Sequence, residues 1–392
     1  MNANSVSTNS SSTNPVLVIV FLRGGADGLT LVSPTSDSNY MAARPNALRV
    51  HRKGDAAGLA LANGAADIDF RMHAQLKPLH GLYGDGQLAI VHAAGLTHAT
   101  RSHFEAEDYM ERGTPGVKST RTGWLARFMA AQQFEGILPA LAVGDSAPDS
   151  LLGAHETIVA QDLNDIRLAA GHGVRPAFLK RIGDGLGNHV LFKQPIARLM
   201  STGAALDAKV ALDEDGNLKR YSPSANAAYP ENALAARLRT VAQAIKLDLG
   251  LRVSTVDFGG WDTHVDQISQ FDGLCNELST AIAAFWRDLG DRQENVTLVV
   301  MSEFGRRLKS NESGGTDHGH GNAMFVLGQG INGGQMHGRW PGLENDVLDT
   351  GADLAITTDY RDVLGEILTK RMGINDVTAI FPDHKVSSTG VA

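Results

Sequence analysis

Two short segments carry metal-binding side chains at a spacing of two. Asp262-Thr263-His264 sets a carboxylate beside an imidazole, and His318-Gly319-His320 sets two imidazoles across a glycine. In extended backbone, residues i and i+2 project to one side, so either pair can hold one ion. Carboxylate oxygens mixed with imidazole nitrogens suit Zn²⁺ or Mn²⁺ better than an all-oxygen Ca²⁺ cage. The plainer reading is a turn aspartate followed by a helix-start histidine. Two such pairs in one chain, with acidic residues at matching strand ends, favour the metal. Asp27 follows two glycines after an apolar run, and Glu303 lies in Ser-Glu-Phe-Gly-Arg after another. Asp27, Asp262, His264, Glu303, His318 and His320 are therefore the expected metal ligands.

Ser102-His103-Phe104-Glu105 fits a capping box, with Ser102 as the cap and Glu105 at the third helical position. The same place suits a nucleophile, because a helix N-terminus offers backbone N–H groups and a positive end to an anion. Arg101 beside it would hold a phosphate or sulfate. His103 is open between metal ligand, acid/base and core residue. Arg306 is open between an anionic group and solvent. Ser102, Arg101, His103 and Arg306 complete the expected catalytic set.

These residues need strands to bring them together. Continuous apolar runs at 15–22 (PVLVIVFL), 87–93 (QLAIVHA), 138–143 (LPALAV), 251–258 (LRVSTVDF) and 295–301 (NVTLVVM) read as strands buried on both faces. A sixth run, 323–327 (AMFVL), follows the histidine pair. Helical patterns occupy 232–249, 271–289 and 360–372, the last with Asp359 as N-cap. The alternation predicts an α/β fold, with a mostly parallel central sheet sandwiched by helices. Ligands of open α/β sheets bind beyond the carboxyl ends of strands, where Asp27, Ser102, Asp262, His264 and Glu303 all fall. His318 and His320 precede a strand, and reach the same edge if that strand runs antiparallel. Residues 1–14 read as a polar leader. Residues 15–392 read as one domain, with an inserted cap region at about 146–230.

Composition narrows the partners. Thirty-five Lys and Arg against 43 Asp and Glu give a net charge of −8, which disfavours nucleic acid and anionic membrane. Cys275 is the one cysteine, so neither an intrachain disulfide nor a Cys-based zinc site is available. No segment reaches the length of a membrane span. The leader lacks the basic start and apolar middle of a signal peptide.

The segments RGGADGL, TRSHFEAEDYMERG, FGGWDTH, SEFGRR, GTDHGHGNAMFVLG and GRWPGL resemble a widespread bacterial family of unassigned function, typically exported by the twin-arginine route. That family is similar to the alkaline-phosphatase-like superfamily, which includes the sulfatases. The resemblance implies an alkaline-phosphatase-like α/β fold with a two-metal site at the sheet edge. Asp262, His264 and one of His318 or His320 would hold one metal. Asp27, Ser102 and Glu303 would hold the second, with Ser102 also the nucleophile and His103 available as a further ligand. The late strand is followed by Glu303-Phe304 where superfamily members usually carry an Asp-His pair. The segment after Ser102 lacks the proline and arginine of formylglycine sulfatases.

The expected activity is hydrolysis of a phosphate or sulfate ester, with Ser102 or a metal-bound water as nucleophile and a small anionic substrate. One or two divalent ions are expected, zinc or manganese ahead of iron. The alternatives are a metal-holding binding or maturation module of an exported assembly, without turnover, and a metal-dependent oxygenase. The resemblance implies a periplasmic or exported protein, while the chain as written leaves the cytoplasm open. Oligomeric state is not legible.

Overall fold

The computed structural model describes residues 14–392 except 55–56, 66, 133, 135, 168–174, 188 and 225. All of the expected leader but Asn14 lies outside the described residues.

The apolar runs become the strands of the central sheet. They are β1 (Val16–Leu22), β2 (Leu88–Gly95), β3 (Ala140–Val143), β4 (Thr157–Ala160), β5 (Val253–Phe258), β6 (Val296–Met301) and β7 (Asn322–Gly328). Two short strands, β8 (Met336–His337) and β9 (Thr358–Asp359), complete it. Among the described residues the order is β8-β2-β7-β6-β1-β5-β3-β4, with β9 also on β2. Every pairing is parallel except those of β7, which runs antiparallel to both β2 and β6. The antiparallel direction sets the start of β7 at the edge where the parallel strands end, as the position of the histidine pair requires.

Both faces of the sheet are covered, which is why the strands are apolar without alternation. Side chains such as Val18, Val20 and Val256 pack under α1 (Lys77–Gly84), α4 (Ala233–Lys246) and α5 (Gln267–Leu289). Leu17, Ile19 and Val253 pack on the other face under α2 (His103–Arg112), α3 (Trp124–Gln132) and α6 (Tyr360–Lys370). The α5 helix begins four residues earlier than its apolar periodicity predicts. The Asp359 carboxylate caps α6 by accepting from the Arg361 N–H, as expected. The segment 146–230 contributes the edge strand β4 and then helices Arg175–Leu186 and Lys193–Lys209.

One ion pair lies wholly inside this framework. Asp27 and Arg44 are both fully buried, and the Arg44 fork grips both oxygens of the carboxylate. Thr30 and Gln267 also donate to Asp27. Arg44 further donates to the carbonyls of Leu308 (2.9 Å) and Arg307 (3.0 Å). Burial alone would raise the Asp27 carboxyl, but the Arg44 charge and these hydrogen bonds outweigh it and hold it below the usual range. A depressed folded-state pKa stabilises above the unfolded value, about 3.9, and that contribution is lost as pH falls through the folded value. Replacing Arg44 by Met strands a buried carboxylate, and urea denaturation should show a loss of about 3–5 kcal/mol at neutral pH. In the variant Asp27→Asn, the fall in stability on acidification below about pH 4 should be shallower than in wild type.

Candidate metal centre

Three parallel-strand ends and the start of β7 supply the centre. The loop after β2 leads to His103 at the first position of α2, and the loop after β5 carries Asp262 and His264. Glu303 follows β6, and His318 closes the short strand Thr316–His318 just before β7. Single ligand atoms of His103, Asp262 and His318 all lie within 4.8 Å of one another. Asp262 Oδ1 is 3.2 Å from His318 Nε2, 3.2 Å from His264 Nε2 and 3.5 Å from His103 Nε2. Four donors around one tetrahedral Zn²⁺, at about 2.0–2.1 Å each, would be about 3.3 Å apart. The Nε2 atoms of His264 and His318 are closer still, at 2.8 Å.

The far side of each ring fixes its tautomer. His103 Nδ1 meets Glu303 Oε1 at 2.7 Å, His264 Nδ1 meets Asp317 Oδ1 at 3.0 Å, and His318 Nδ1 meets the Arg101 carbonyl at 2.8 Å. Each of these partners only accepts, so each Nδ1 must donate. In the neutral rings every Nε2 then carries a lone pair within 3.5 Å of Asp262 Oδ1. His103 Nε2 is buried without a hydrogen-bond partner. A buried orphan nitrogen, converging lone pairs and backing acceptors are the arrangement that metal-ligating histidines show. The residues present fit a single divalent cation, and the nitrogen-rich donor set suits Zn²⁺ ahead of Mn²⁺.

Charge at the centre is set by its surroundings. The hydrogen bond to Glu303 raises the His103 pKa, against the opposing effect of burial. Burial lowers that of His318. Burial would raise the Asp262 carboxyl, but the hydrogen bond from Arg306 and the Arg306 charge bring it to about 2. Arg306 is fully buried and donates to Asp262 Oδ1 at 2.6 Å and to the carbonyls of Gly25 and Thr316. It locks Asp262 and does not face an incoming anion.

The remaining expected residues take other places. Asp27 is not among the side chains brought together at this centre, and Arg44 occupies both of its oxygens. Glu303 is fully buried, accepts from Gly24 N (2.8 Å) and Ser302 Oγ (2.9 Å), and backs His103. His320 is absent from the group. Its Nδ1 meets Asp349 (2.6 Å), and its Nε2 faces the carbonyls of Leu96 and His98. Arg101 pairs with Asp353 and Asp349. Ser102 caps α2 by position only, since its side chain makes no capping bond and Glu105 pairs with Lys118. The Ser102 residue is exposed at the N-terminus of a ten-residue helix.

Sequence reading passed over Asp317, although it immediately precedes His318. It also passed over Phe304, whose ring packs 4.9 Å from His103 and 4.8 Å from His318. The two glycines after β1 are required here. Gly24 has φ +117°, and a Cβ there would lie 2.5 Å from Asp262 N, while one on Gly25 (φ +67°) would lie 2.3 Å from the Phe304 ring. The variant Gly24→Ala should lose about 1–3 kcal/mol in thermal or chemical unfolding and bind Zn²⁺ more weakly by isothermal titration. Unchanged affinity would show that the glycine turn does not hold the centre.

Comparison with known proteins gives a family but no activity. No curated protein matches the chain. The fold is similar to the C-terminal periplasmic domain of EcEptC from Escherichia coli, at 11% identity and TM-score 0.41, over 97% of this chain and 90% of that one. It is also similar to the PsFucS1 sulfatase from Pseudoalteromonas sp., at 12% identity and TM-score 0.39, over 93% and 68%. A third is the phosphonate monoester hydrolase SpPMH from Silicibacter pomeroyi, at 10% identity and TM-score 0.40, over 91% and 73%. The family model described as "Protein of unknown function (DUF1501)" matches residues 99–381, most of the chain and all of the centre, and the chain belongs to that family.

Proposed function

We propose that the protein is a metal-dependent hydrolase of phosphate or sulfate esters, with one divalent cation held by His103, Asp262, His264 and His318. The observation that supports this most is the convergence of three Nε2 lone pairs and Asp262 Oδ1 beside an exposed serine at a helix N-terminus. When bound, such a cation polarises an ester oxygen and favours the ionised form of a nearby hydroxyl. The chain's own residues do the rest. The first N–H groups of α2 and the positive end of its dipole attract the anionic ester. Ser102 offers a hydroxyl free of capping, as the attacking oxygen. Glu303, Asp317 and the Arg101 carbonyl keep the three rings oriented, and Arg306 keeps Asp262 ionised and in place. Asp27 and Glu303 are already fully engaged, so the reading has one cation and not two.

A second reading rests on one detail. The group His103, Asp262 and His318 is two histidines and a carboxylate, a set that also serves non-haem iron oxygenases. Oxygen uptake that depends on Fe²⁺ and a co-substrate would favour it over hydrolysis.

Elemental analysis of the purified chain should find one equivalent of zinc, removed by a chelator together with hydrolysis of p-nitrophenyl phosphate or sulfate. Asp262→Ala should lose both. Glu303→Gln should keep the fold and bind the cation about 10–100-fold more weakly. Ser102→Ala should keep the metal and lose turnover; retained turnover would hand the attack to water. A chain free of metal under all conditions, or ester hydrolysis indifferent to Asp262→Ala, rejects the proposal.

A further inference from the structure

The inserted segment carries two helices, Arg175–Leu186 and Lys193–Lys209, that pack on each other as a hairpin. Its root is anchored. Thr202 is buried and donates to the Ile137 carbonyl at 3.0 Å, and Leu206 lies in the core. Its outer part is not anchored: among the described residues from 177 to 197, none is buried. Yet five of the thirteen large hydrophobic side chains that the described residues expose fall here, namely Phe178, Leu186, Val190, Leu191 and Phe192. Val190 is 87% exposed and Leu191 71%, both in the turn between the helices. Single exposed hydrophobics need no explanation, but a cluster of them marks a contact surface.

The local charge indicates what covers this surface. Residues 175–200 hold Arg175, Lys180, Arg181, Lys193 and Arg198 against one acid, Asp184, a net +4 in a chain of −8. The balance of the whole chain, which disfavours an anionic membrane, therefore hides a segment of the opposite sign. Along the first helix, Phe178, Ile182 and Leu186 recur every four residues on one face, while Lys180, Arg181 and Asp184 share another. At 1.5 Å per residue, Arg181 lies about 7.5 Å back from Leu186, and Lys193 opens the second helix. Helices that lie in a bilayer surface bury their apolar side chains about 5–10 Å deep and keep Lys and Arg at the headgroups. Neither helix is long and apolar enough to cross a membrane. A second copy of the chain docking by the same face would set +4 against +4.

We infer that the tip of this hairpin docks on a bilayer surface that carries anionic lipid. Val190, Leu191 and Phe192 enter the boundary between headgroups and acyl chains, and the basic residues meet the lipid phosphates. The hairpin shares no residue with the metal centre, so the inference does not depend on ester hydrolysis there.

The test sediments the full chain with vesicles of phosphatidylcholine containing roughly one-third phosphatidylglycerol, and with vesicles of phosphatidylcholine alone. The chain should partition onto the anionic vesicles about tenfold better than onto the neutral ones, and lose that advantage in about 0.5 M NaCl. Leu191→Asp, and separately Arg181→Glu combined with Lys193→Glu, alter exposed side chains only. The melting temperature should therefore hold in both, while partition onto anionic vesicles falls about tenfold. Asp262→Ala should partition as wild type does, whether or not the chain hydrolyses esters. The inference is overturned by no sedimentation with anionic vesicles, by equal partition onto neutral ones, or by equal partition in Leu191→Asp. A dimer in analytical ultracentrifugation that Leu191→Asp dissociates overturns it as well, since a second copy would then cover the tip.

Discussion

Three imidazole rings with their Nδ1 protons already committed cannot face one another comfortably. His103, His264 and His318 each give Nδ1–H to an acceptor, and each then points a lone pair into the space that Asp262 Oδ1 also enters. Lone pairs at such separations repel, and in a partly desolvated pocket the repulsion is only weakly screened. A positive centre among them resolves the conflict. The tautomers are fixed by partners that lie outside the site, and those partners are themselves fixed by the fold. Glu303 is pinned by the Gly24 N–H and Ser302, and Asp317 by Asn311.

Topology is what delivers these groups to one place. Parallel strands β1, β2, β5 and β6 end at a common rim, although many residues separate them in sequence. Strand β7, which runs antiparallel to its neighbours in the central sheet, turns the preceding segment round so that His318 arrives at that rim from the opposite direction. A parallel β7 would carry His318 to the other end of the sheet. The glycines after β1 let its loop pass within contact of Asp262 and Phe304, so the backbone there is a wall of the site and not only a connection.

Much of this was legible in the chain itself, and the failures have definite causes. Continuous apolar runs revealed the strands because both faces are covered. The Asp262/His264 pair was legible because the carboxylate and Nε2 do meet. The same two-residue rule failed at His318 and His320. The rule holds only in extended backbone, and the strand stops at His318, so His320 turns away to Asp349 and two carbonyls. Asp27 looked like a ligand by position, but its partner Arg44 lies seventeen residues on, in a segment with no motif. His103 stayed open among three roles, because the decisive neighbour, Glu303, is 200 positions distant and meets it only through the sheet order. The capping box at Ser102 did not form: its side chain makes no cap bond, and Glu105 is turned to Lys118.

The account stands on a cation at one point, so its most direct test is to look there. A crystal of the zinc-loaded protein, measured on both sides of the zinc absorption edge, reports the position of each ion without reference to activity. The account predicts one anomalous peak, in contact with His103 Nε2, His318 Nε2 and a carboxylate oxygen of Asp262. An empty centre in zinc-loaded crystals, or a peak seated instead on Asp27 or His320, would contradict it.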